Sequence, residues 1–312
     1  MLWALIGAAI LAALFFLTTF ICFRMAFYSP ARKTFADDEY DLPTDEIYRD
    51  YLDDLVGWIK LSRSYPHEDV SITSYDGLKL YGRYYEYKAG APTEILIHGY
   101  RGSSERDISA GIERCFELGR NALLVDQRAS GKSEGSVITF GIREYRDCID
   151  WARFLANKLG KDSKIILTGI SMGAATVAIA AGEELPKNVV CVLADCGFSS
   201  AEEIIKKVIR QMHLPPSLAY PFVKWGAKIY GGFDLEERSP LEAMKRATVP
   251  VIFIHGDGDA FVPSYMSEQL YDACTSHKKL VLVRGAGHGL SFPVDRALYV
   301  SALRDFQEEC GF

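Results

Sequence analysis

The chain has 312 residues, of which 49% are hydrophobic and 24% are charged. This length and composition suit one large globular domain or two small ones, together with an additional apolar segment. The net charge of −6 and the lack of a long basic run exclude the electrostatic pattern of a nucleic-acid-binding protein, so we expect no nucleic-acid partner.

The apolar segment lies at the start of the chain, where Leu2 to Phe23 include no charged residue. At ~1.5 Å per residue, a helix of this length crosses a hydrocarbon core of roughly 30 Å. A cleaved signal peptide is the alternative, but no basic stretch precedes the apolar run and no A-x-A cleavage site follows it. We therefore predict a retained transmembrane anchor over residues 1–26, which makes the membrane a partner of this protein.

The charges beside the anchor indicate its orientation. Arg24, Arg32 and Lys33 follow the apolar run, whereas only the α-amino group precedes it. Because basic residues favour the cytoplasmic side of a membrane, we predict that the bulk of the protein is cytoplasmic. The seven cysteines are dispersed without a C-x-x-C pair, which is typical of reduced thiols and agrees with that compartment.

Residues 27–67 are predicted to connect the anchor to a globular domain. An acidic stretch, Asp37 to Asp41, is followed by Thr44, a candidate N-cap for a helix that runs to about Leu61. The residues that share one face of this helix are Ile47, Tyr51, Leu55, Trp58 and Ile59. Since this face is apolar, we expect it to pack against the globular domain.

From residue 68 onward, the pattern predicts an α/β fold. Asp76-Gly77 is suited to a two-residue turn between two hairpin strands. Beyond this turn, short apolar runs alternate with helical segments, as in a mostly parallel sheet with helices on both faces. The runs predicted as strands are 94–97, 121–126, 164–168, 189–195, 250–255 and 279–284. We therefore predict a single α/β domain over residues 68–312.

An insertion over residues 199–238 interrupts this alternation. It is too long and too apolar for a plain connection between a strand and a helix. It also follows the carboxyl end of a predicted strand, which is where α/β sheets bind ligands. We therefore predict a helical cap over a binding site, with Tyr220, Phe222 and Trp225 as the residues that contact a ligand.

The strongest motif is Gly169-Ile170-Ser171-Met172-Gly173, which lies between an apolar β-branched run and a run of small helix-forming residues. A G-x-S-x-G sequence between a strand and a helix is typical of a sharp turn that exposes a nucleophilic serine. The glycines leave room for the neighbouring strand and helix. We therefore predict that Ser171 is a nucleophile.

A serine hydroxyl needs a base within hydrogen-bond reach, and the base needs an orienting group. His288 is the best candidate for the base, since it is flanked by glycines in a loop after the last predicted strand. Asp259, far out on the loop that follows the preceding strand, is the preferred acid. Asp257 and Asp195 are the alternatives, but Asp257 is better suited to bonding loop amides in a turn, and many aspartates at the position of Asp195 only form turns.

The oxyanion of such a reaction needs two hydrogen-bond donors. The backbone N–H of Met172, directly after the serine, is one candidate, and the N–H of Tyr100 in the loop His98-Gly99-Tyr100-Arg101-Gly102 is the other. His98 is interpreted as a brace for this loop. The sequence contains neither H-E-x-x-H nor G-x-x-x-x-G-K-[ST], so we expect no metal site and no Walker-type phosphate site.

The chain resembles the α/β-hydrolase superfamily in the order of Ser171, Asp259 and His288. It also resembles that superfamily in the serine turn, the His-Gly-Tyr-Arg-Gly loop and the His-Gly-x-x-Asp-x-x-Val-Pro stretch. More narrowly, it resembles the membrane-anchored bacterial serine hydrolases of that superfamily and the prolyl-oligopeptidase-like esterases. The resemblance covers about residues 68–309. It implies an eight-stranded, mostly parallel sheet with one antiparallel strand, and it implies no cofactor.

The resemblance leaves several functions open. The leading hypothesis is a serine hydrolase that cleaves an acyl ester, either a small molecule or a lipid, through an acyl-enzyme. The alternatives are a thioesterase and an aminopeptidase of the prolyl-oligopeptidase type, for which Glu202-Glu203 is the nearby acidic pair. A non-catalytic binding protein on the same fold is a further alternative, but the intact serine, histidine and aspartate argue against it.

Overall fold

The computed structural model describes residues 1–29 and 38–312 of the chain. Arg32, Lys33 and Asp37, on which the orientation and linker predictions partly depend, lie outside the described residues.

The centre of the fold is one eight-stranded sheet with strand order β1-β2-β4-β3-β5-β6-β7-β8. Its strands are β1 Glu68–Thr73, β2 Lys79–Tyr85, β3 Thr93–Ile97, β4 Asn121–Val125, β5 Ile165–Ile170, β6 Val189–Asp195, β7 Val251–Gly256 and β8 Lys278–Val283. Strand β2 is antiparallel to both neighbours, and all other pairs are parallel. The predicted mostly parallel sheet with one antiparallel strand is therefore confirmed.

Helices cover both faces of this sheet. The helices of the described residues are α1 Leu2–Ala26, α2 Leu52–Ser64, α3 Ser104–Ile108, α4 Ala110–Glu117, α5 Glu144–Leu159, α6 Met172–Ala181, α7 Ala201–Gln211, α8 Pro216–Gly226, α9 Pro240–Met244, α10 Tyr265–Ala273, α11 Ser291–Val294 and α12 Arg296–Glu309. Helices α5, α6, α9 and α10 bury one face of the sheet, and α4 and α12 bury the other. Every residue of β3 and β4 is buried, which explains why these strands have no polar alternation.

The parallel strands place their following loops at one edge of the sheet. His98 follows β3, Ser171 follows β5, Asp259 follows β7 and His288 follows β8. Because the carboxyl ends of parallel strands meet at the same edge, four loops that are distant in sequence converge there.

The segment before β1 differs in detail from its prediction. It begins with a 3₁₀ helix over Glu46–Tyr51 and continues as α2, so Thr44 lies before the helix and does not cap it. The apolar face packs against the domain as expected: Ile59 is fully buried, and the Trp58 indole N–H donates to Glu113 at 2.8 Å. Arg63 also pairs with Glu105 at 2.8 Å.

Helix α1 is the one helix of the described residues that is long and apolar enough to cross a membrane, and a signal sequence has the same character. Its first half is exposed, whereas Thr19 and Phe23 near its end are buried. Directly after it, Tyr28 forms a β-bridge with Val137. The end of α1 is therefore packed onto the α/β domain.

Candidate active site

The turn at Ser171 is tight, and its backbone is strained. Ser171 has φ 57° and ψ −117°, a region that non-glycine residues rarely adopt. A Cβ atom at Gly169 would collide with the carbonyl oxygen of Gly173, and one at Gly173 would collide with that of Ile97. Both glycines are thus required so that α6 can start directly behind β5, with the serine side chain raised above the sheet edge.

Ser171, His288 and Asp259 form a continuous chain of hydrogen bonds. The Ser171 Oγ lies 2.9 Å from His288 Nε2, and His288 Nδ1 lies 2.7 Å from the Asp259 Oδ2. A carboxylate only accepts hydrogen bonds, so Nδ1 carries the imidazole proton and Nε2 is left to accept the serine proton. The structure thus brings together the three residues that were predicted as nucleophile, base and acid.

Asp259 is held as a carboxylate. Burial alone would raise its pKa, but hydrogen bonds from His255 and His288 outweigh burial and lower the pKa below its ordinary value. Its Oδ1 also accepts from the amides of Phe261 and Val262, each at 2.8 Å. His255 lies near the end of β7 inside the same motif, and its contact with Asp259 was not predicted from the sequence.

The two alternative acids have other partners. Asp195 accepts a hydrogen bond from the Tyr299 hydroxyl at 2.8 Å, and burial raises its pKa. Asp257 accepts from the Gly285 amide at 2.6 Å and closes a loop. Neither carboxylate forms a hydrogen bond to the His288 ring, so Asp259 is the one of the three candidate acids that bonds to it.

The loop that follows β3 lies against the serine. A Cβ atom on Gly99 would be 3.7 Å from the Ser171 hydroxyl oxygen. In the described part of the chain, the amides of Tyr100 and Met172 donate to no other group. His98 accepts from the Gln127 amide at 3.0 Å and donates to the Gly99 carbonyl at 2.8 Å, so it braces the loop as expected.

Side chains of the same loop bind the end of α1. The Tyr100 hydroxyl donates to the Ala26 carbonyl at 2.8 Å, and the Arg101 guanidinium donates to the Met25 carbonyl at 2.8 Å and the Tyr28 carbonyl at 3.1 Å. The last carbonyls of a helix have no partner within it, so these bonds satisfy groups that would otherwise need water. No local signal in the sequence indicates that the anchor and this loop meet.

A cleft of about 730 Å³ opens beside Ser171 and His288. Its apolar lining residues include Ile47, Leu55, Trp58, Leu96, Ile108, Ile170, Phe261, Leu290 and Phe292. The first three come from the segment before β1, and Tyr48 in that segment donates from its hydroxyl to the His288 carbonyl at 3.0 Å. This segment therefore covers one side of the cleft, a position that the sequence analysis did not foresee.

The predicted cap over Ser171 is wrong in this structure. Among the described residues that line the cleft, Gln211 alone comes from the insertion. Phe222 and Trp225 instead pack against Phe15 of α1, with ring centroids 5.8 Å and 6.4 Å apart, and the Tyr220 hydroxyl donates to Glu236 at 3.0 Å. Phe222 and Trp225 pack against the N-terminal helix, and for this reason they do not line the cleft beside the serine.

Cys196, Asp259 and His288 place possible metal-ligand atoms within 4.8 Å of one another. Both ring nitrogens of His288 already bond to Asp259 and Ser171, and burial raises the pKa of the Cys196 thiol well above its ordinary value. A neutral thiol is a poor metal ligand. The donor set therefore fits the serine, histidine and aspartate arrangement better than a metal centre.

This fold and this site define a serine hydrolase of the α/β-hydrolase class. The chain belongs to the prolyl oligopeptidase family, which its residues 139–311 match.

Two curated relatives and one solved structure illustrate the similarity. The uncharacterized protein YqkD of Bacillus subtilis is 30% identical over 192 residues, which cover 61% of this chain and 63% of YqkD, just under two thirds of its length. The thiohydrolase aneE of Aspergillus aculeatus is 31% identical over 152 residues, 47% of each chain. The Pyrococcus furiosus esterase Pf2001 has a TM-score of 0.66 and 24% identity, and covers 91% of this chain and 98% of its own. At that identity, the likeness to Pf2001 concerns the fold.

Proposed function

We propose that this protein hydrolyses acyl esters through an acyl-enzyme on Ser171. The observation that carries the proposal is the hydrogen-bonded chain from the Ser171 hydroxyl through His288 to the buried Asp259 carboxylate. A serine at neutral pH is a weak nucleophile, and such a chain is the arrangement that activates it.

In the first half of the reaction, the Ser171 oxygen attacks the acyl carbonyl carbon while its proton passes to His288 Nε2. The amides of Tyr100 and Met172 stabilise the resulting oxyanion, and Asp259 stabilises the imidazolium without taking its proton. The imidazolium then protonates the leaving oxygen. The carbon–oxygen bond of the ester breaks, the alcohol departs, and the acyl group stays on Ser171.

In the second half, water replaces the alcohol. His288 takes a proton from the water, whose oxygen attacks the acyl carbonyl in the same oxyanion site. The imidazolium returns that proton to the Ser171 oxygen as the acyl bond breaks. The products are a carboxylic acid and the free enzyme, so no cofactor takes part in this cycle.

The lining of the cleft supports an apolar acyl group. Leu55, Trp58 and Phe292 contribute hydrocarbon surface beside the serine. Pockets of this type bind through apolar contacts and use a few polar groups for orientation. We therefore propose a substrate with an apolar acyl chain, either a small ester or a lipid ester.

A thioester is the second candidate, because a thiohydrolase is among the relatives of this chain. The same acyl-enzyme forms from a thioester with a thiol as the leaving group. The acidic pair proposed for an aminopeptidase is less suitable: Glu202 pairs with Lys206, and Glu203 accepts from the Ser199 and Tyr265 hydroxyls. Neither glutamate lines the cleft.

We further propose that α1 anchors the enzyme to a membrane, that residues 27–67 connect it to the hydrolase domain, and that this domain faces the cytoplasm. The length and apolar character of α1 support the anchor. Protease treatment of spheroplasts and of inverted vesicles tests the orientation. Digestion in inverted vesicles alone is the expected result, and digestion in intact spheroplasts would reverse the orientation.

The experiment that tests the chemistry is labelling with a fluorophosphonate probe, followed by a substrate panel. We expect labelling of the full-length protein and none of Ser171→Ala. The panel compares p-nitrophenyl esters, acyl thioesters and aminoacyl amides of matched size. Esters should be cleaved fastest. Faster cleavage of thioesters or amides would favour the corresponding alternative, and labelling at another serine would contradict the site.

A further inference from the structure

Helix α1 contacts the insertion through a segment that is here called the docking tip and defined as residues 212–229. Contacts advance in the same direction along both elements. Phe15 meets Phe222, and a Cβ atom on Gly226 would clash with the Thr19 carbonyl. Helix α8 therefore runs alongside the second half of α1 in close contact with it.

The part of α1 that projects from the domain is shorter than the hydrocarbon core of a membrane is thick. The half-buried Phe15 is the first large side chain of α1 that packs on the domain, so Leu2–Leu14 project beyond it. At ~1.5 Å per residue these residues form about 20 Å of helix. The hydrocarbon core is roughly 30 Å thick. If α1 crosses the bilayer, the next ~10 Å of helix, about seven residues from Phe15 onward, and the part of the tip packed on it lie inside the hydrocarbon core.

The surface of the docking tip suits that position. Its exposed large apolar side chains are Met212, Leu214, Leu218, Trp225 and Ile229, with Leu218 67% exposed. Several large apolar side chains exposed within one short segment are typical of an interaction site. Lys224 and Lys228 lie among these side chains and pair with Glu236 and Asp234, respectively. Lysine side chains near the surface of the hydrocarbon core can extend their ammonium groups to the lipid headgroups.

We propose that the docking tip inserts into the bilayer beside α1, with Trp225 near the boundary between headgroups and acyl chains and with Leu218 and Leu214, which precede it, deeper among the acyl chains. The occupant of this apolar surface is lipid, because the surface continues that of the anchor itself. A spanning helix and an inserted tip are two membrane contacts, and together they fix the tilt of the domain.

Photo-crosslinking in the full-length protein tests this proposal. The full chain, in phosphatidylcholine vesicles, carries p-benzoylphenylalanine at position 218 or 214. Position 301 on α12, where Ser301 is exposed, is the matched control. Flotation of the vesicles reports whether α1 is inserted, and fluorophosphonate labelling reports folding. After illumination, we expect a mass increase of one lipid at 218 and 214 and none at 301.

Each other outcome overturns the proposal. A protein that does not float with the vesicles has no bilayer contact. A floating protein without lipid adducts at 218 and 214 has its tip in water. Adducts with the mass of a second chain would show that another copy covers the patch. None of these outcomes bears on ester hydrolysis, which the labelling of Ser171 tests separately.

Discussion

The segment of residues 46–64 and the insertion of residues 199–238 are two helical regions outside the sheet, and each presents an apolar face. The first places Tyr48, Leu55 and Trp58 at the cleft beside Ser171. The second turns Phe222 and Trp225 toward Phe15 of α1. The difference shows that aromatic content indicates a packing surface without indicating the partner that packs on it. The segment before β1 borders the site with aromatic and apolar side chains, whereas the insertion reaches the cleft only through Gln211 among the described residues, and its Phe222 and Trp225 pack on the anchor.

The largest expected effect sets the reference for this comparison. Ser171→Ala removes the nucleophile, and we expect ester hydrolysis to fall by roughly 10⁴–10⁶-fold, as when one member of an acting triad is lost. Circular dichroism and the thermal midpoint should stay close to those of the wild type. Remaining turnover near the wild-type rate would mean that neither helical region borders the true site.

The next effect concerns the acid. Asp259→Asn should lower kcat by ~10⁴-fold, because the amide no longer fixes the His288 tautomer with Nδ1 protonated. Asp257→Asn is the matched control: its amide oxygen still accepts from the Gly285 N–H, so kcat should change little. A severe loss in Asp195→Asn with a mild one in Asp259→Asn would point to a different acid.

The wild type and Asp259→Asn should also differ in how their free energy of unfolding depends on pH. His255 and His288 hold the pKa of Asp259 below its ordinary value despite burial, so folding is favoured while the carboxylate is charged. This contribution is complete above the unfolded-state pKa of about 4 and is lost as pH falls through the lower folded-state pKa. The difference in unfolding free energy between wild type and Asp259→Asn should therefore narrow on acidification. Urea unfolding at several pH values measures it, and a widening gap would contradict the assignment.

A smaller effect separates the two helical regions directly. Leu55→Ala enlarges the cleft, and we expect the kcat/KM ratio between long and short p-nitrophenyl esters to change by about tenfold, the scale of one or two methylenes. Leu218→Ala makes the same change in the insertion and should leave this ratio unaltered. Both variants are assayed in detergent, so that bilayer contact plays no part. A change of the kcat/KM ratio in Leu218→Ala alone would mean that the insertion, and not the segment before β1, contacts the acyl chain.

The sheet and the reactive side chains were predictable because their signals are local. Short apolar runs gave the strands, and the glycines around Ser171 and His288 marked tight loops at their ends. The parallel order then brings Ser171, Asp259 and His288 to one edge. Their identities follow from chemistry that permits few side chains.

The positions of the two helical regions were not predictable from the sequence, because they depend on contacts between residues that are far apart in the chain. The insertion follows a strand and is aromatic, which is equally typical of a substrate cap and of a helix-binding surface. Only the packing of Phe15 and Thr19 against it decides between them, and those residues lie some two hundred positions earlier in the sequence. The same holds for Tyr48, whose hydroxyl bonds to the His288 carbonyl across the fold.

The smallest predicted effect tests whether the anchor also contributes to the oxyanion loop. Tyr100→Phe keeps the ring that packs on Phe140 and removes the hydrogen bond from the hydroxyl to the Ala26 carbonyl. A hydrogen bond contributes about 0.5–1.5 kcal/mol net. Because the loop is then held less firmly, kcat of the Tyr100→Phe variant should fall by about two- to tenfold. KM should stay unchanged, because the loop binds the transition state rather than the acyl chain. Tyr230→Phe is the matched control, since it removes a 3.0 Å hydrogen bond to the Phe16 carbonyl of the same helix, away from the loop. Equal losses in both variants would mean that the end of α1 supports the fold without positioning the Tyr100 amide, whereas a loss confined to Tyr100→Phe would connect the anchor to catalysis.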